Sequence, residues 1–171
     1  METTLILEQN LHFLRQGLAL LDALDAETYA AGDGGRASIG AHLRHCTDFY
    51  NCFLRGLESG RVDYDARCRD AAVETDRQTA ARTLAGIAER LAALGAADFG
   101  RVLEVKADAA DDAPFAWSRS SLARELQFLT SHTVHHFALI ALLMRQRGLD
   151  PGDELGVAPS TLAYRNAVTA G

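Results

Sequence analysis

The stretch SLARELQFLTSHTVHHFALIALLMRQRG, residues 121 to 148, decides the fold. A serine suited to capping, at Ser120 or Ser121, precedes a long run of helix formers. The run closes on Arg145, Arg147 and then Gly148, as a helix C-terminus does. The spacing predicts one long helix to Arg147, the longest in the chain. Three of the six histidines, His132, His135 and His136, lie inside it.

Working outward, the chain repeats this helical grammar upstream. Leu5, Leu7, Leu11, Leu14, Leu18, Leu21 and Leu24 recur mostly at threes and fours and predict a first helix. The AGDGG cluster, residues 31 to 35, breaks it. Ser38 then stands as an N-cap before Ile39, Leu43, Cys46, Tyr50, Phe53 and Leu57, so a second helix runs to about Gly56 or Gly60. The polar segment RVDYDARCRD reads as a long connection. Thr75 with Gln78 forms a capping-box pattern ahead of a third helix that closes on Gly95. Residues 101 to 118, with an acidic turn and Pro114, read as either a small hairpin or an extended loop, and a short helix starts near Ser160. The expected fold class is therefore all-α: an up-and-down four-helix bundle, read as one domain over residues 1–171.

Composition narrows the function. With 17 basic against 23 acidic residues the formal net charge is −6, without a Lys/Arg cluster, so neither nucleic acid nor an anionic membrane is an expected partner. No uninterrupted apolar run approaches the roughly 18–20 residues of a membrane span, and the start lacks a basic region followed by an apolar core. Cys46, Cys52 and Cys68 are an odd number with no C-x-x-C pair, which points away from a disulfide framework. A cytoplasmic protein is expected, with a small-molecule substrate and a homodimer among the associations the reading admits.

Five of the six histidines fall in two helical windows, SIGAHLRHCTDFY and HTVHH. Residues four apart on a helix lie about 40° from each other, so His132 and His136 project from one face and can share an ion. His135 is rotated about 100° away and does not join them. A third ligand must come from the second helix, which offers His42 and His45. Periodicity alone leans weakly toward His42, while Phe49 and Cys52 widen the buried arc toward His45.

Two motifs carry a resemblance. One is a Ser cap, an apolar residue, and a histidine seven positions after the cap, here Ser38 to His45. The other is HxxHH on the last long helix, here His132 to His136, followed by an apolar stretch. The chain resembles the DinB-like, or YfiT-like, superfamily of metal-dependent four-helix-bundle proteins. The resemblance implies a histidine triad of His45, His132 and His136, with His42 as a supporting or a surface residue; a neutral three-histidine site suits a divalent metal ion such as Zn, Ni, Fe or Co. The resemblance implies metal-dependent hydrolase or thiol transferase activity for some members; the alternative is a metal-stabilised helical module without turnover, in a dimerisation or binding role. Thr133 stands where many relatives carry an acidic residue, and Phe137 and Ala138 replace a frequent Arg-Gly.

Asp48, one turn beyond His45, and Glu125, two turns before His132, are the candidate supporting or catalytic carboxylates. Cys46 and Cys52 read as small core residues, His12 as a structural histidine, and Trp117, Phe115 and Tyr64 as candidates for the mouth of the site.

Overall fold

The computed structural model describes residues 2–32, 37–95, 99–107 and 116–169, and its helices begin where short polar side chains can cap them. Helix α1 spans Glu2–Ala23, and Asp25 caps the short α2, Ala26–Ala30. Ser38 caps α3, Ile39–Ser59, by accepting from the amide of Ala41 at 2.9 Å. Gly60, at φ 77°, ends α3 in the left-handed conformation that glycine adopts without steric cost. Ser121 caps α6, Leu122–Gln146, through the Arg124 amide at 3.2 Å.

One expected cap moves. Thr75 is the last residue of α4, Ala71–Thr75, and its hydroxyl donates back to the Ala71 carbonyl. Asp76 instead caps α5, Arg77–Ala92, because its carboxylate accepts from two orphan amides, Gln78 at 3.1 Å and Thr79 at 3.0 Å, at the positive end of the helix dipole. The last helix, α7, covers Pro159–Thr169 and buries no side chain.

The chain also forms a three-stranded sheet, β1 Arg61–Asp63, β2 Val102–Lys106 and β3 Ser118–Ser121, in that spatial order. Strands β2 and β3 pair antiparallel, giving the hairpin side of the sequence expectation. Strand β1 pairs parallel with β2 and lies inside the segment expected to be a plain connection. It folds straight back onto α3, and a Cβ at Gly56 would stand 2.5 Å from the Arg61 carbonyl oxygen, so only glycine admits this return. The fold is thus mostly helical with a small sheet. The break at residues 33–36, the acidic turn with Pro114, and Phe115 lie outside the described residues.

Four long helices build the core. α1 packs on α5 and α6, and α3 packs on the same two. Side-chain contacts give the directions. Asn10 reaches the Leu126 carbonyl and accepts from Tyr50, while a Cβ at Gly17 would touch Leu84, Phe137 and Leu43. Thus α1 and α6 run one way, and α3 and α5 run the other. Strict alternation, expected of an up-and-down order, is replaced by up, down, down, up. The chain between α3 and α5 must therefore return along the helices, and by Glu74 it lies back against Gly40 near the start of α3. Strands β2 and β3 then bridge α5 to α6.

Two departures noted in the sequence acquire reasons. Phe137 is 1% exposed and meets Phe13 edge-on at 6.4 Å, so an apolar ring fills the space between α1 and α6. Thr133, also buried, donates to the Leu129 carbonyl and lies 3.4 Å from the Tyr50 hydroxyl, a place where a carboxylate would be buried. Among the described residues α6 is the one helix long and apolar enough to cross a membrane; here it is a core helix packed on α1 and α3.

Candidate metal centre

The centre lies where α3 faces α6. Since these helices are antiparallel, an i,i+3 histidine pair on one meets an i,i+4 pair on the other in reverse order. His45 Nε2 lies 3.1 Å from His132 Nε2, and His42 Nδ1 lies 2.9 Å from His136 Nδ1. His45, His132 and His136 each offer a ring nitrogen such that all three lie within 4.8 Å of one another. Nitrogens bound at about 2.0–2.1 Å to a tetrahedral ion stand roughly 3.3 Å apart, so small ring rotations would close this set on one cation. The Nδ1 of His132 is buried with no hydrogen-bond partner among the described residues, a cost that ordinary packing avoids. The donor set and spacing fit a divalent ion of the Zn, Ni or Fe type.

Aromatic rings wall the centre on one side. Phe49 stacks on His132 with centroids 4.1 Å apart and on Tyr64 at 5.1 Å; Phe128 lies 5.7 Å from His132. Phe49 is one turn after His45 and Phe128 one turn before His132, so the helical spacing that finds the histidines also finds their wall. Burial, reinforced by neighbouring imidazoles, holds His132 down at about 4 and His136 at about 3, against an ordinary 6.5. Burial also lowers His42. Neutral imidazoles at neutral pH are the form a metal ion requires.

The remaining candidates sort by position. His135 and His12 are exposed; His12 pairs with Gln16 on the outer face of α1, away from the cluster. Asp48 is buried and its carboxyl raised by that burial, with Arg44 at an ion-pair separation of 3.8 Å. Glu125 is held by the Tyr64 hydroxyl at 2.8 Å and the Ser120 hydroxyl at 2.5 Å, tying the start of α6 to the sheet. The structure thus places Glu125 on Tyr64 and Ser120, and leaves Asp48 Oδ2 buried without a hydrogen-bond partner among the described residues. Tyr64 is buried one ring behind His132 and lines an open pocket with Glu125 and Phe128, and Trp117 lies under the Arg61 guanidinium at 4.1 Å. Cys46 and Cys52 are buried in the core with thiols that burial pushes up, and Cys68 is exposed; none forms a disulfide.

Comparison with known proteins adds two findings. The family model of the DinB superfamily matches residues 13–140, which include all four clustered histidines. A protein of Rhizopus delemar named FK506-binding protein 5 is 31% identical over 105 residues, 60% of this chain and 27% of the relative. The chain thus spans about a quarter of the length of that curated relative.

Proposed function

The chain belongs to the DinB superfamily, and from that premise we propose that His45, His132 and His136 hold one divalent metal ion used in hydrolysis of, or thiol transfer to, a small molecule. The observation that carries the reading is three ring nitrogens from two antiparallel helices gathered within 4.8 Å. Burial holds His132 and His136 unprotonated, the form that can bind an ion. An ion held by three neutral ligands keeps its full charge and would supply a Lewis acid that acidifies a water or thiol and polarises a carbonyl.

The chain's own contribution is geometric. α3 and α6 set the ring positions, and Phe49 and Phe128 exclude water from the His132 side. A net charge of −6 supports a small-molecule substrate over a polyanion. We read the four long helices as one four-helix bundle within a single cytoplasmic domain, which the cyclic packing of α1, α5, α3 and α6 supports.

The test is metal content and affinity of protein purified without an immobilised-metal step. Near one equivalent of a divalent ion is expected, with tight binding abolished in His45→Ala, His132→Ala and His136→Ala and kept in His135→Ala. Equal losses in all four variants, or wild-type protein with no measurable affinity, would overturn the proposal. One observation favours a second reading: both imidazole contacts run between α3 and α6, as in an ion that mainly ties helices together. In that case chelation lowers the melting temperature markedly and no turnover is found.

A further inference from the structure

His42 lies outside the triad and yet makes the shorter of the two imidazole contacts, 2.9 Å between its Nδ1 and Nδ1 of His136. That separation is a hydrogen bond, so one nitrogen carries the proton and the other accepts it. His42 stands outside the triad, so its contact takes up His136 Nδ1 and leaves Nε2 for an ion, whereas the Nε2–Nε2 contact of His45 and His132 joins two members of the triad that an ion would come between. Coordination through Nε2 requires that nitrogen to be unprotonated, and a neutral ring must then carry its proton on Nδ1. His136 is therefore the donor, and His42 accepts with its own proton on Nε2.

We propose that His42 is a positioning residue for the centre: its Nδ1 accepts the Nδ1–H of His136 and fixes both the tautomer and the rotation that turn His136 Nε2 toward the ion. This rests on the reading of His136 as a ligand. The place is usually filled by a carboxylate or a backbone carbonyl. An imidazole there orients the ligand without adding negative charge. Its own placement is firm: the His42 amide donates to the Ser38 carbonyl at 3.2 Å in the first turn of α3, and its ring centroid lies 5.2 Å from that of His136. The i,i+3 spacing of His42 and His45 on α3 thus gives each α6 histidine of the triad a partner.

The experiment compares His42→Ala with His42→Asn, whose amide oxygen takes the position of Nδ1 and can accept the same proton. Metal affinity by competition titration is expected to fall about 10- to 100-fold in His42→Ala and to be largely restored in His42→Asn. Long-range proton–nitrogen spectra of the metal-free protein are expected to show His136 as the single Nδ1–H tautomer in wild type and His42→Asn, and as a mixture in His42→Ala. A packing role would not distinguish the variants in this way. Unchanged affinity in His42→Ala overturns the inference. So does complete loss equal to that of His132→Ala, which would make His42 a ligand. Wild-type protein that binds no metal would remove the proposed function, and the tautomer spectra would still decide whether His42 orients His136.

Discussion

Replacing Phe49 by alanine tests the wall and the centre together. The ring is 5% exposed, stacks on His132 at 4.1 Å and on Tyr64 at 5.1 Å, and carries the Arg67 guanidinium 5.0 Å from its centroid. Truncating a buried Phe costs about 3–5 kcal/mol, and the lower end applies where neighbours can lean into the void. Tyr64 and Phe128 both adjoin it, so about 3 kcal/mol is expected. At about 2–4 °C per kcal/mol for a chain of this size, the melting temperature falls by about 6–12 °C. The same change wets His132. Since burial is the leading cause of its lowered pKa, His132 should titrate upward from about 4 toward 6.5. Thermal unfolding with chelator present gives the first quantity, and NMR titration of the imidazole gives the second. A melting temperature within about 2 °C of wild type, with an unmoved His132, would refute the reasoning.

Stability of the metal-free protein should fall as pH drops from 6.5 through 4, because His132 and His136 are lowered in the folded state and the unfolded chain takes up protons first. Burial raises Asp48, which gives the opposite slope, so the histidine part is read from urea unfolding as the difference between wild type and His132→Asn. Tyr64→Phe deletes the 2.8 Å donor to buried Glu125 and should cost about 1–3 kcal/mol in the same assay, without changing metal affinity. Gly56→Ala should destabilise or displace β1, since its Cβ would stand 2.5 Å from the Arg61 carbonyl; amide exchange of Tyr64 and Glu104, whose N–H groups donate to the Lys106 and Gly60 carbonyls, would report this as lost protection.

Much of the helical frame was legible because local chemistry writes it. Ser38, Gly60 and Ser121 mark helix ends through their own hydrogen bonds or φ angles, and no distant residue is needed to read them. Thr75 misled because Thr75 and Asp76 are adjacent cap formers, and only the structure shows that the carboxylate takes the two amides. Strand β1 has three residues and pairs with a segment about forty positions later, so no periodicity could reveal it. Helix directions were illegible for a related reason: they depend on how far each connection travels, and α4 carries the chain back along α3. At the site, spacing identified the histidines but treated α3 as facing a single centre. His42 and His45 both reach α6, one helical turn apart, and a plot of apolar residues could not separate ligand from support. Asp48 and Glu125 had the right spacing; the Arg44 partner of Asp48 is an i,i+4 neighbour that spacing does encode, whereas Tyr64, sixty-one positions before Glu125, comes from packing that spacing does not encode.

The most direct measurement is an anomalous-scattering map of crystals loaded with one equivalent of zinc. The account predicts a single peak about 2.0–2.1 Å from a nitrogen of each of His45, His132 and His136, with His42 bonded to His136 and not to the ion. A peak elsewhere, or the three rings turned apart with no ion between them, would contradict it.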